Sequence, residues 1–238
     1  MTGAVDRLKA LVPEPATQAL RRGQTRIAEF FGSRKYSSPG LRGLDARIRE
    51  HLPVDRGVYL EIGANDGFSQ SNTYYLDRWE GWQGILIEPV PRLYRIARRF
   101  RPRARTFNVA CVGPDGPDSI EIVDIGLMSV TRGQQDEEDE TERASAGRRS
   151  TRTYSVPTST LSAVIDEAGL GRIDLMSVDV EGAELDVLAG LDLARHTPRV
   201  LVVETKYPER ITELLSGRME LIEKLSVHDY LYRALSSD

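Results

Sequence analysis

The sequence holds a single cysteine, Cys111, in 238 residues. An intrachain disulfide is therefore excluded, which fits a reducing compartment. Long hydrophobic runs are also missing: no apolar stretch approaches the roughly 18 residues needed to span a bilayer. The opening MTGAVDRLKALVPEP is too short and too broken an apolar run for a secretory signal, because Pro13 and Pro15 interrupt it. These absences read as a cytoplasmic protein without a membrane span and leave peripheral membrane contact open. A basic excess is lacking too: 32 Lys and Arg stand against 36 Asp and Glu, net −4. A protein held mainly by nucleic-acid phosphates needs the opposite balance, so no nucleic-acid partner is expected. What is present is a globular composition, 40% hydrophobic and 29% charged, in a length that suits one domain with elaborations.

Residues 1–56 read as an N-terminal helical extension. Leu8, Leu11, Leu20, Ile27 and Phe30 are spaced roughly as one helical face over residues 1–35. That face suits a packing helix or a homodimer contact, with a lid over a substrate as the alternative. A loop at 36–43 and a short helix at 44–52 follow. Residues 57–238 then alternate strand and helix. Strands are expected at 58–62, 84–87, 106–112, 119–125, 173–178, 200–203 and 230–234. Helices are expected at 69–79, 91–101, 160–168, 183–189 and around 209–225, with Ser159 or Thr160 as an N-cap and Gly169 as a stop. The runs VYL, GILI, LMSV and VLVV are continuously apolar, as in parallel strands covered on both faces. Residues 131–150 carry no apolar side chain beyond two alanines and read as a mobile acidic loop or a lid.

In such sheets ligands bind at the carboxyl ends of the strands. Here those ends carry Glu61-Ile62-Gly63-Ala64-Asn65-Asp66-Gly67, Glu88-Pro89, Asn108-Val109-Ala110 and Asp179. Gly63 and Gly67 let the first turn lie against a ligand. The middle glycine of a dinucleotide fingerprint is absent, and Glu61 and Asp66 frame the turn instead. A pyrophosphate would be repelled there, whereas a ligand bearing an ammonium and a sulfonium would be attracted. This favours S-adenosylmethionine over NAD. Glu88, closing the second strand, is placed to accept bonds from both ribose hydroxyls. Asn108, with Val109 and Ala110, is placed for an adenine contact.

The runs EIGANDGFSQSNTYYL, GILIEPVP, FNVACVG, IDLMSVDVEGAELDVLAGL and VLVVET together resemble the FkbM family of methyltransferases over about residues 57 to 206. The resemblance implies a class I methyltransferase Rossmann-like fold, with a mostly parallel central sheet and helices on both faces. It implies methyl transfer from S-adenosylmethionine to a hydroxyl of a sugar, oligosaccharide or natural-product small molecule. Carried onto this sequence, it sets Glu61, Gly63, Asn65 and Gly67 around the methionine half, Glu88 at the ribose, Asn108 and Ala110 near adenine, and Asp179 beside the methyl donor. Two departures stand out: the long acidic segment 131–150, and a C-terminal end that looks short of a full terminal strand pair.

An alcohol acceptor has a high pKa and needs a base or a metal. Asp179, Glu181 and Glu204 end neighbouring strands, so Asp179 and Glu181 are catalytic candidates. Asp179 with Glu204 is a candidate site for Mg²⁺, against the alternative that Asp179 and Glu181 only cap a helix. His228, next to Asp229, is a further candidate base. The arginines of 92–105 read as a solvated face that pairs with the acidic loop at 136–142. Alternatives kept open are a macromolecular acceptor, disfavoured by the absence of an amide-binding N/D-P-P-Y motif, and a module that binds the cofactor without turnover.

Overall fold

The computed structural model describes residues 14–124, 129–131 and 152–235. Leu8, Leu11 and the acidic segment at 132–150 lie outside them. The elements in chain order begin with helices α1 (Glu14–Phe30) and α2 (Leu44–Arg49), strand β1 (Val58–Ile62), helix α3 (Tyr74–Trp79), strand β2 (Gln83–Ile87) and helix α4 (Pro91–Phe100). Strands β3 (Arg105–Phe107), β4 (Ala110–Cys111), β5 (Ser119–Asp124), β6 (Ser129–Thr131) and β7 (Arg152–Ser159) follow. Then come α5 (Leu161–Ala168), β8 (Leu175–Val178), α6 (Glu184–Ala189), α7 (Leu193–His196), β9 (Val200–Glu204), α8 (Pro208–Leu214), β10 (Met219–Lys224) and β11 (Asp229–Ala234).

Seven strands form the main sheet in the order β10-β11-β9-β8-β1-β2-β3. β3, β2, β1, β8 and β9 run parallel, and β11 is antiparallel to β9. The apolar strands are buried on both faces. Leu60, Ile62, Met176, Val178, Leu201 and Val203 pack with α5, α6 and α8, through Val164, Leu188 and Ile211 among others. Tyr59, Leu86, Leu175, Val200 and Val202 pack on the other face with Leu44 and Ile48 of α2, Leu76 of α3 and Ala97 of α4. Burying each such side chain contributes roughly 1.5–3 kcal/mol before entropy is counted. A smaller sheet, β4-β7-β5-β6, is inserted between β3 and α5.

The structure corrects several sequence expectations. The helix expected around 209–225 stops at Leu214, and Gly217 at φ +76° turns the chain into β10. β10 pairs antiparallel with β11, so the terminal strand pair is complete. The strand expected at 106–112 is two strands in two sheets, broken at Asn108 and Val109, because Asn108 Nδ2 donates to the carbonyls of Glu88 (2.9 Å) and Pro89 (2.7 Å). The helix expected from 69 starts only at Tyr74. Before it, the Asp66 and Glu61 carboxylates take the backbone N–H groups of Phe68, Ser69 and Asn72. Thr160 caps α5 by accepting from the Ala163 N–H, and Gly169 ends it in the left-handed conformation, as the local residues dictate.

α1 packs the opposite way round from its apolar pattern. Gln18, Thr25 and Glu29 are buried, while Leu20, Ile27 and Phe30 are exposed. Thr25 donates to the Arg21 carbonyl, Glu29 accepts from Ser37, Tyr74 and Arg78, and Arg22 pairs with Asp66. Hydrogen-bond satisfaction, not apolar area, seats this helix. The arginine run is not wholly a solvated face either. Arg101 is buried and Arg92 pairs with Asp124 at 3.1 Å. The acidic loop at 136–142 lies outside the described residues.

Candidate active site

A cleft of about 330 Å³ opens over the carboxyl ends of β1, β2 and β8, with β4 and β5 on one side. The turn after β1 makes its floor. The Gly63 and Ala64 N–H groups both donate to the Ile87 carbonyl at 3.0 Å, which ties β1 to β2 where the cleft begins. Gly63 sits at φ +83°, and a Cβ there would lie 1.7 Å from the Asp179 carbonyl oxygen. Only glycine fits both the conformation and the close approach. Gly67 at φ +77° brings the turn against Ala97 of α4.

Glu88 is buried beneath this turn. Its Oε2 accepts from the Asn65 N–H at 2.7 Å and its Oε1 from the Val90 N–H at 2.8 Å. Both bonds favour the anion, yet burial outweighs them and holds the carboxyl up at about 8. Pro89 lines the cleft beside it, and Val109, Ala110, Cys111, Leu93, Ile120 and Ile122 make an apolar half. Burial pushes the Cys111 thiol up to about 12, so it packs and does not react.

The polar half is built from Glu61, Ser69, Gln70, Ser71, Asn72, Ser177, Asp179 and Glu181. Glu61 is tied mainly into its own turn. It accepts from Ser71 Oγ (3.0 Å), the Asn72 N–H (2.9 Å) and Thr73 Oγ1 (2.6 Å), and pairs with Arg101 at 3.0 Å. Asp179 follows β8, its N–H donating to the Ile62 carbonyl. Its carboxyl is held well above the usual carboxylate range, by burial first and then by the negative charge of Glu204. Glu204 is raised as well, by desolvation first and by Asp229 second. Glu181, at φ +56°, and Gly182, at φ +105°, form the strained turn after β8.

The sequence-assigned residues thus fall into two groups. Glu61, Gly63, Ala64, Asn65, Glu88, Pro89, Val109, Ala110, Asp179 and Glu181 line the cleft. Asp66, Gly67, Asn108 and Glu204 do not; the first three hold its walls. Asp66 binds the Phe68 and Ser69 N–H groups and Arg22. His228 is exposed and outside the lining, and its carbonyl accepts from the Thr205 N–H at 2.8 Å. The Mg²⁺ expectation finds no sufficient donor set: among the described residues no group of three or more His, Cys, Asp or Glu side chains is arranged to hold a metal ion. Asn72, Ser177, Gln70 and the β5 wall also line the cleft, and strand ends alone do not point to them. Ser177 carried a signal, as the polar residue inside the buried run LMSV.

A parallel sheet closed by an antiparallel strand pair, with a ligand cleft at the β1 turn and an acid ending β2, defines the S-adenosylmethionine-dependent class I methyltransferase fold. The chain belongs to the FkbM methyltransferase family: the Methyltransferase FkbM domain matches residues 61–233. The methyltransferase FkbM from Methylobacillus flagellatus KT superposes with a TM-score of 0.50 at 16% identity, covering 92% of this chain and 58% of that one. A TehB-like S-adenosylmethionine-dependent methyltransferase from Corynebacterium glutamicum superposes with a TM-score of 0.46 at 12% identity, covering 93% of this chain and 100% of that one. Methyltransferase sdnD of Sordaria araneosa is 47% identical over 55 residues, 23% of this chain and 21% of that protein. The chain therefore matches only about a fifth of that relative's length.

Proposed function

We propose that this protein is an S-adenosylmethionine-dependent O-methyltransferase acting on a hydroxyl of a sugar, oligosaccharide or natural-product small molecule. The cleft fits the cofactor on its own terms. It has an apolar half for a flat base, a doubly anchored acid for a diol, and a polar half without a Lys, Arg or His among its described lining residues. Glu88 would accept from the ribose hydroxyls, with Val109, Ala110 and Ile122 flanking adenine. When bound, the cofactor supplies an electrophilic methyl group on a sulfonium.

The observation that carries O-methylation is the Asp179 carboxyl, which lines the polar half of the cleft at the end of β8 together with Glu181. Burial and the neighbouring Glu204 charge favour the protonated form of Asp179, so its anion forms toward higher pH and is then a stronger base than an ordinary carboxylate. Asp179 lines the cleft and, in its ionised form, takes the proton from the acceptor hydroxyl. General-base catalysis of this kind contributes about 10²–10⁴-fold, and positioning contributes the rest. The test is transfer of isotopically labelled methyl groups to a panel of sugars, oligosaccharides and polyols. Asp179→Asn is expected to lower kcat by about 10²–10⁴ while keeping affinity for S-adenosylhomocysteine. Labelled methyl appearing only on macromolecules, or cofactor binding with turnover of no hydroxyl, would sink this reading.

A further inference from the structure

The Asn72 side chain is 7% exposed and lines the cleft. Its Nδ2 donates to Ser177 Oγ at 3.1 Å, and its N–H donates to Glu61 Oε1 at 2.9 Å. Its Oδ1 is buried and has no hydrogen-bond partner. A buried carbonyl oxygen without a donor costs about 1–3 kcal/mol, so such an atom at a binding cleft marks the place of a ligand donor. The surroundings are rich in hydrogen-bond acceptors, which suits a donor such as an ammonium. Glu61 and Asp179 flank this half of the cleft, and no basic side chain is among the described residues lining it. The guanidinium nearest to Glu61, that of Arg101, is buried behind it and divided between Glu61 and Asp77.

We propose that Asn72 Oδ1, held in place by Ser177, accepts a hydrogen bond from the α-ammonium of the cofactor's methionine moiety. Glu61 then acts as a positioning residue. Its carboxylate takes four donors, three of them on Oε2, and shapes the Ser71–Thr73 turn that carries Asn72. The sequence points to Glu61 as the group facing the ammonium; the hydrogen-bond inventory points to Asn72. This inference rests on the cofactor reading above.

The test is calorimetric titration of the full chain with S-adenosylhomocysteine, its desamino analogue and its decarboxylated analogue. The three ligands are titrated into wild type, Asn72→Ala and Ser177→Ala. Wild type is expected to favour S-adenosylhomocysteine over the desamino analogue by about tenfold or more. Asn72→Ala should erase that preference, weaken the decarboxylated analogue by the same factor, and leave the desamino analogue unchanged. Ser177→Ala, which keeps Asn72 but frees it to turn, should lose part of the same preference and serves if Asn72→Ala fails to fold. Equal weakening of all three ligands by Asn72→Ala overturns the assignment, since the residue would then be structural. Sensitivity of the desamino but not the decarboxylated analogue also overturns it, because the amide would then face the carboxylate. Wild type binding none of the three removes the cofactor reading itself.

Discussion

Arg101 sits at the end of α4 with only 2% of its surface exposed, and its guanidinium meets the Glu61 carboxylate at 3.0 Å. The same side chain pairs with Asp77 at 2.8 Å and lies over the Tyr59 ring. A charge inside the β1–α3 layer is tolerated because two carboxylates and the Thr73 hydroxyl surround it. Removing it leaves Glu61 buried without its counter-ion. Arg101→Leu should therefore lose about 3–5 kcal/mol in urea denaturation. Adding Glu61→Gln should recover part of that loss, giving a double variant well short of additive. A loss below about 1 kcal/mol for Arg101→Leu would show that the pair is not what seats the turn.

Glu88 makes a second prediction, on pH. Its folded-state carboxyl stands at about 8 against an ordinary value of 4.5. Between those values the native protein holds a proton that the unfolded chain has released, so stability falls as pH rises from 4.5 through 8. Glu88→Gln removes this titration, and its Tm without ligand should exceed that of wild type at pH 8.5. Binding has the opposite sign. An ionised Glu88 accepts from ribose hydroxyls as well as from Asn65 and Val90, so affinity for S-adenosylhomocysteine should rise between pH 6 and 8 in wild type. A wild-type affinity flat across that range would refute the assignment.

Gly63 is held by contact as much as by conformation. A methyl group there would overlap the Asp179 carbonyl and push β1 from β8. Gly63→Ala should abolish cofactor binding and lower Tm by several degrees. Near wild-type binding would mean that the floor of the cleft can shift.

Arg22 reaches from α1 to the buried Asp66, which also accepts from Phe68 and Ser69. Arg22→Ala should cost about 1–3 kcal/mol by chemical denaturation, because three hydrogen bonds to Asp66 survive. It should also weaken S-adenosylhomocysteine, since the Asn65–Ser69 turn loosens. Unchanged binding would confine α1 to a structural role.

Much of the site was legible as a set of strand ends. Glu61, Glu88 and Asp179 each follow a short apolar run, and parallel pairing of β1 with β2 and β8 brings those ends together. Less was legible in the turns. Asp66, three residues beyond Gly63, anchors its own turn and lies outside the cleft lining. Asn108 ties two carbonyls after β2, while its neighbours Val109 and Ala110 line the cleft. Short polar side chains serve backbone and ligand with the same atoms, and the sequence does not say which.

The sequence by itself determined the strand–helix alternation, the glycine turn and the acid at the end of β2. These follow from local propensity, periodicity and the steric demands of glycine. Tertiary structure alone decided which polar groups are spent and which are left over. α1 turned its apolar stripe outward because Glu29 and Arg22 found partners 45 and 44 residues away. Glu61 was paired with Arg101, which is 40 residues distant. Asn72 was joined to Ser177 across 105 residues, which left its carbonyl oxygen without a donor. Hydrogen-bond satisfaction inside a protein is settled by neighbours in space, and those are chosen only when the chain has closed.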